Sequence, residues 1–353
     1  MGVSETLRRR VDTGQPAVTV QTLSRAALVG LILVFGALRL AGHTPAMVTQ
    51  AGIYLLGMVA LNLPHGGYQH FANLRRRAMR FRGRYVAGYL LASALFVGLF
   101  PLVPVAGLAL AIGVAVLKGG GGDLHVLRAT TGTSHLQSRL QRLVAVAARG
   151  GAVMAVPIVA FPGTFRWFSG LMVRMVEPAG LSAQAGLFEL TGPLIGAGYV
   201  GLLVAHLGWG AYNRTGDGAW LADAAETLLL VGYFAIVPVV VAVGLYFPLW
   251  YSLRQVSREL TTTEPPATGR DLLGEDADPG AIAFRAWGVL VAGAMATAFV
   301  AGGFWVLVPT PVPGSTLQFG LVAFWSMFIS VIALPHVVVG DLLDGQRGIW
   351  HVP

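Results

Sequence analysis

Cysteine is absent from the 353 residues. That excludes a disulfide framework and a thiolate metal site, so any metal would have to be held by His, Asp, Glu or backbone oxygen. Charge is scarce as well: Asp, Glu, Lys and Arg make up 11% of the chain, against roughly 25% in soluble proteins. Lysine is almost missing, with Lys118 the single example, and arginine carries the rest of the positive charge. Residues 1–22 contain no short apolar core, so no cleavable signal peptide is expected. No repeat of fixed period and no soluble domain stands out. What is present is apolar surface: 55% of residues are hydrophobic and the mean hydropathy is +0.68. This balance reads as an all-α, polytopic transmembrane helical bundle. The net charge of +8 does not point to nucleic acid, because the arginines fall in short loops between apolar runs.

Apolar runs of spanning length lie near 24–42, 46–63, 84–101, 103–117, 143–161, 183–206, 226–250, 282–309 and 317–338. The pair around Pro101 and Pro104 reads either as one bent helix or as a short re-entrant hairpin. Eight or nine spans follow. The division expected is an N-terminal arm over 1–22, a membrane domain over 23–345 and a tail over 346–353. The stretch "ANLRRRAMRFRGR", 72–84, holds six arginines and marks a cytoplasmic loop, which with Arg8, Arg9 and Arg10 predicts a cytoplasmic N-terminus in the cell membrane. Residues 118–142 are expected to form a second cytoplasmic loop. The acidic, proline-containing linker 259–278 is expected on the opposite face.

Histidine carries the candidate chemistry. His43 and His351 read as solvated surface, and His206 as an interfacial residue beside Trp209. In "LNLPHGGYQH", His65 and His70 are five residues apart, a rotation of about 140° on an ideal helix. They would therefore not share a face unless Pro64 and Gly66-Gly67 break the helix. Such a break at membrane depth must face protein or a cavity, and an ionisable residue there is a functional candidate. Two readings stay open: a hydrogen bond to a neighbouring helix, or an inward-facing ligand. "ALPHVVVGDLLD" repeats the Pro-His pairing at His336. Glu226 reads as an interfacial carboxylate or an interior one, and Asp123, His125 and His135 as loop polarity or site residues. Neutral imidazoles in an apolar bundle suit non-haem Fe(II), with positions open for oxygen.

The segments "NLPHGGYQHFANLRRR", "GDLHVLRATTGTSHLQSRLQR", "RGGAVMAVPIVAFP", "YFPLWYSLRQ" and "ALPHVVVGDLLD" resemble the bacteriorhodopsin-related (Brp/Blh) family of membrane-bound β-carotene 15,15′-dioxygenases, in its haloarchaeal form. The resemblance runs over roughly residues 25–345. It implies oxidative cleavage of the central double bond of β-carotene to two retinals at an Fe(II) held by histidines. It also implies a lipid bilayer as surroundings and a rhodopsin apoprotein as the eventual recipient of retinal. His65 matches a metal-ligand position, and His70 follows it in the same motif. At the three other ligand positions the chain departs from the family: Lys118, Tyr251 and Gln255 stand where histidines are expected. An ammonium repels Fe(II), a phenolate favours Fe(III), and an amide oxygen binds weakly. Tight iron binding is therefore not expected from these side chains. Asp123, Glu226, His70 and His336 are the further candidates near such a site. The readings that follow are a dioxygenase with an altered iron shell, a non-catalytic paralogue that binds or delivers carotenoid or retinal, and a retinal binder using Lys118.

Overall fold

The computed structural model describes residues 15–61, 82–177, 185–216, 218–255 and 279–343. Among these the chain is helical throughout. The elements are α1 (Gln15–Leu40), α2 (Met47–Leu55, prolonged by a π-helical turn Leu56–Leu61), α3 (Arg82–Leu102), α4 (Pro104–Thr130), α5 (Arg139–Ala160) and α6 (Pro162–Arg174). Then follow α7 (Ala185–Tyr212), α8 (Ala219–Ile236), α9 (Val239–Tyr246, prolonged by a π-helical turn Phe247–Ser252), α10 (Pro279–Leu307) and α11 (Leu317–Leu343). His65, His70, most of the arginine-rich loop and the acidic linker lie outside the described residues.

Among the described residues five helices are long and apolar enough to cross a membrane: Val20–Leu40, Val105–Thr130, Arg139–Ala160, Glu189–Tyr212 and Ala219–Ile236. Shorter apolar helices accompany them at Met47–Leu61, Leu90–Leu99, Thr297–Leu307 and Leu317–Ala333. Large apolar side chains point outward along these helices, including Leu33, Leu95, Phe299 and Val306. A surface this apolar is suited to lipid tails rather than water. Helix α1 begins at Gln15, inside the stretch read as an N-terminal arm.

Three boundaries sharpen or change the reading of hydropathy. The prolines at 101 and 104 separate two helices that meet at Val103, whose extended backbone precedes Pro104 at the first turn of α4. The run 226–250 is two helices. Pro238 has no N–H to donate and forces Val237 into an extended conformation, so α8 stops and α9 restarts. The Tyr233 hydroxyl spans this break by donating to the Ala242 carbonyl at 2.9 Å.

The third difference matters most for function. Residues 118–130 are not a loop, because α4 continues through Gly119–Gly122 to Thr130. A run of four glycines is a poor helix former by roughly 1 kcal/mol per residue against alanine. Packing reverses that preference. A Cβ on Gly120 would run into the Val146 carbonyl, and one on Gly150 into the Val116 carbonyl. Missing side chains thus let the α4 and α5 backbones touch, the kind of contact that small residues provide between helices in membranes. α5 starts cleanly after a capping box: Ser138 Oγ accepts from Gln141 N at 3.1 Å, and Gln141 Oε1 accepts from Ser138 N at 3.2 Å. A second glycine contact joins α2 to α9, where a Cβ on Gly57 would meet the Gly244 carbonyl.

Among the described residues four apolar clusters result, two of them large. One is shared by α3, α4, α6, α10 and α11, with Phe96, Leu108, Met172, Phe304 and Phe328 buried. The other is shared by α1, α5, α7, α8 and α9, with Leu28, Val153, Tyr199, Phe234 and Tyr246 buried. α4 and α5 lie between them. Gly120→Val and Gly150→Val are therefore expected to lower thermal stability in detergent by about 2 kcal/mol or more. Gly113→Ala on the same helix, where a new Cβ meets nothing within 4 Å, should cost nothing.

Candidate functional site

Arg149 lies midway along α5 with no exposed surface. An unpaired guanidinium in an apolar interior costs several kcal/mol, and three carboxylates surround this one. Its Nε donates to Asp123 Oδ2 at 2.7 Å, Nη1 to Asp223 Oδ1 at 2.5 Å and Nη2 to Glu226 Oε2 at 2.7 Å. Nη2 also reaches Asp123 Oδ2. Arg254, just beyond the π-helical turn of α9, closes the ring. Its Nε donates to Asp123 Oδ1 at 2.7 Å, and Nη1 and Nη2 hold the two Glu226 oxygens at 2.6 and 2.8 Å. Its guanidinium sits 4.4 Å from the centre of the Trp250 ring. Arg25 of α1 adds a third cation, with Nη2 2.6 Å from Glu226 Oε1.

Three arginines face three carboxylates, so the formal charges cancel. Asp123, Asp223, Glu226, Arg149 and Arg254 are each at most 3% exposed. Buried charges persist only with such complete pairing. His135 Nε2 lies 2.8 Å and His206 Nε2 3.4 Å from Asp223 Oδ2. His206 is therefore buried against a carboxylate. Asp123 and Glu226 are buried ion-pair partners, and Asp123 lies on α4 rather than in a loop.

Five residues before Asp123 on α4, Lys118 opens onto a partly open apolar cavity. Met58, Ile112, Met154, Phe168, Phe247 and Val322 are among its apolar walls, and Lys118 is the one charged residue among the described lining residues. The remaining polarity is hydroxyl: Ser169, and Tyr54 against Ser326, with Ser330 Oγ donating to the Ser326 carbonyl at 2.9 Å. Apolar walls with a few polar groups are the lining expected of a site for a hydrophobic molecule.

Lys118, Tyr251 and Gln255 are neighbours in the fold, although of the three only Lys118 lines the cavity. Lys118 Nζ lies 5.7 Å from the centre of the Tyr251 ring. Gln255 Nε2 donates to the Gly122 carbonyl at 3.2 Å. A Cβ on Gly122 would stand 2.8 Å from Tyr251 Cε2 and 3.1 Å from Gln255 Nε2. His65 and His70 lie outside the described residues, and His336 is on α11 with its side chain likewise undescribed. His125 is held locally, Nδ1 being 2.6 Å from the Gly121 carbonyl.

Among the described residues no group of three or more His, Asp or Glu side chains could hold a metal ion. An amine, a phenol and an amide around Gly122 do not fit Fe(II), and no step below runs through a metal. Sequence reasoning missed Arg149, Asp223 and Arg254. The available signal was an arginine inside an apolar run, as in "VAARGGAV", which at membrane depth demands a buried partner.

Apolar helices of membrane-spanning length, an apolar cavity and a neutralised charge cluster beside it define a helical protein of membrane type. The chain belongs to the beta-carotene 15,15′-dioxygenase family, whose model matches residues 56–344. It is 51% identical over 338 residues to the protein named "Probable beta-carotene 15,15′-dioxygenase Brp" in two strains of Halobacterium salinarum, with 94% of each chain covered. It is 31% identical over 301 residues to "Probable beta-carotene 15,15′-dioxygenase Blh" of the same organism, covering 82% of this chain and 83% of that one. No solved structure matches.

Asp123→Asn removes one negative charge from a neutral cluster and leaves two buried arginines undercompensated. It should cost about 3–5 kcal/mol, read as a large drop in the unfolding temperature in detergent. Arg142→Gln, on the exposed start of α5, should stay within about 0.5 kcal/mol of wild type.

Proposed function

We propose that this chain binds β-carotene in the cavity beside Lys118 and cleaves its central double bond with O2 to give two retinals. Both atoms of O2 enter the products: the C15–C15′ double bond breaks and two aldehyde C=O bonds form. The observation that carries this reading is the apolar cavity between α2, α4, α5, α6, α9 and α11, in a chain whose family is described by that activity. The polyene dissolves in the bilayer and reaches such a cavity without crossing water. The walls exclude water from the reacting bond and press the chain into one orientation. Tyr54, Ser326 and Lys118 supply the few polar atoms that mark an end or a midpoint of the bound molecule. The ion-pair cluster keeps α4, α5 and α8 in register, so that Lys118 and Tyr251 hold their places.

The reading extends to surroundings and partners. The chain works as a multi-pass protein of the cell membrane with its N-terminus in the cytoplasm, crossing the bilayer eight or nine times. The charge of the 72–84 loop supports this orientation. Its product supplies a rhodopsin apoprotein in a haloarchaeal cell. Fe(II) is the cofactor the family resemblance implies, with His65 at the one matched ligand position and His70 a nearby candidate.

A second reading has one observation in its favour. The donors gathered around Gly122 include no imidazole, which suits a paralogue that holds carotenoid or retinal without cleaving it. Expression in a carotene-producing host separates the two. Cleavage predicts retinal in the membranes, iron in the purified protein and loss of both with His65→Ala. Carotenoid that co-purifies uncleaved, without iron, would establish the second reading. In either case Ala115→Trp, which fills the cavity from α4, should reduce retinal yield or bound carotenoid by about tenfold or more.

A further inference from the structure

The amine of Lys118 is not used by the ion-pair cluster. That cluster is neutral without it, with three arginines on three carboxylates. Among the described residues no carboxylate or hydrogen-bond acceptor holds Lys118 Nζ, and its one neighbour of note is the Tyr251 ring at 5.7 Å. No acidic residue stands among the described residues that line the cavity. An ammonium in an apolar enclosure without a counter-charge is a costly arrangement, whereas a neutral amine there is a nucleophile. Lysines desolvated in apolar pockets attack carbonyl carbon. Lys118 is also the single lysine of the chain, so apart from the chain's own α-amine it has no competitor for an aldehyde.

We propose that Lys118 forms a reversible imine with a long-chain polyene aldehyde held in this cavity. The inference rests on the cleavage reading for the source of the aldehyde, though not for the bond itself. The Nζ lone pair adds to the aldehyde carbon, and the carbonyl oxygen takes up the proton released by nitrogen. The resulting carbinolamine loses its hydroxyl with a second nitrogen proton as water, leaving C=N. No oxidant or reductant is needed, and added water restores amine and aldehyde. The bond would retain an aldehyde product that otherwise partitions into the bilayer, and would release it when the cavity opens to water. Lys118 then acts as a product-holding residue.

Borohydride trapping tests this directly. The full-length protein in detergent is mixed with all-trans retinal, reduced, and mapped by peptide mass spectrometry. The expected result is a retinyl adduct on the Lys118 peptide, with much less on the α-amine. Excess retinol has the same shape and no aldehyde, and should suppress the Lys118 adduct by competing for the cavity. Lys118→Arg should lose the adduct while still binding retinal. A protein that shows no adduct on Lys118, or an adduct that retinol leaves unchanged, would overturn the proposal even if wild type makes retinal. An adduct from supplied retinal in a protein that cleaves no β-carotene would uphold the imine and refute the cleavage reading.

Discussion

A guanidinium buried at the middle of α5 has to be neutralised where it stands, and the arrangement of the central helices follows from that requirement. The carboxylates that meet Arg149 come from α4 and from two successive turns of α8. Arg254 then ties the end of α9 to both helices, and Arg25 brings in α1. Coulomb attraction alone does not make such a cluster favourable, since desolvation of each ion opposes it. Its consequence is geometric: any shift of one helix against another exposes an uncompensated charge. The backbone contact of Gly120 with α5 and of Gly150 with α4 brings the helices close enough for short side chains such as Asp123 to reach.

The cavity lies immediately beside this locked region. Lys118 and Gly122 occupy successive turns of α4, one facing the cavity and the other in contact with Tyr251 and Gln255. A rigid polar cluster and an apolar chamber are thereby set on one helix. The two π-helical turns, Leu56–Leu61 and Phe247–Ser252, place Met58 and Phe247 in the chamber wall. Extra residues inserted into a helix in this way re-aim side chains, and they recur at functional sites. Any molecule in the chamber would therefore meet fixed walls on the α4, α5 and α9 sides.

The class of the protein was legible in the sequence because hydropathy is a local property, and a chain with so little charge has few alternatives. The motifs that resemble the dioxygenase family were legible for the same reason, as contiguous strings. The helical course of 118–130 was not. Four consecutive glycines look like a loop, and only the partner surface on α5 makes them helical. The break at Pro238 was hidden inside an uninterrupted apolar run. The ion-pair cluster escaped because its members are far apart in the chain, with 26, 74 and 131 residues separating the bonded pairs Arg149–Asp123, Arg149–Asp223 and Arg254–Asp123. Each charge read singly is ambiguous, and a lone Glu226 near the start of a span resembles many interfacial carboxylates. The motif alignment did select Lys118, Tyr251 and Gln255, which lie at one place in the fold, although their chemistry is not that of a metal site.

The central claim is that the apolar chamber beside Lys118 is where the polyene is bound. An experimental structure of the protein purified with carotenoid tests it most directly. The account predicts continuous polyene density between α4 and α9, in contact with Met58, Phe168 and Phe247 and passing within reach of Lys118 Nζ. Carotenoid density confined to the lipid-facing surface of the helices, with the chamber empty or filled by ordinary lipid, would contradict it.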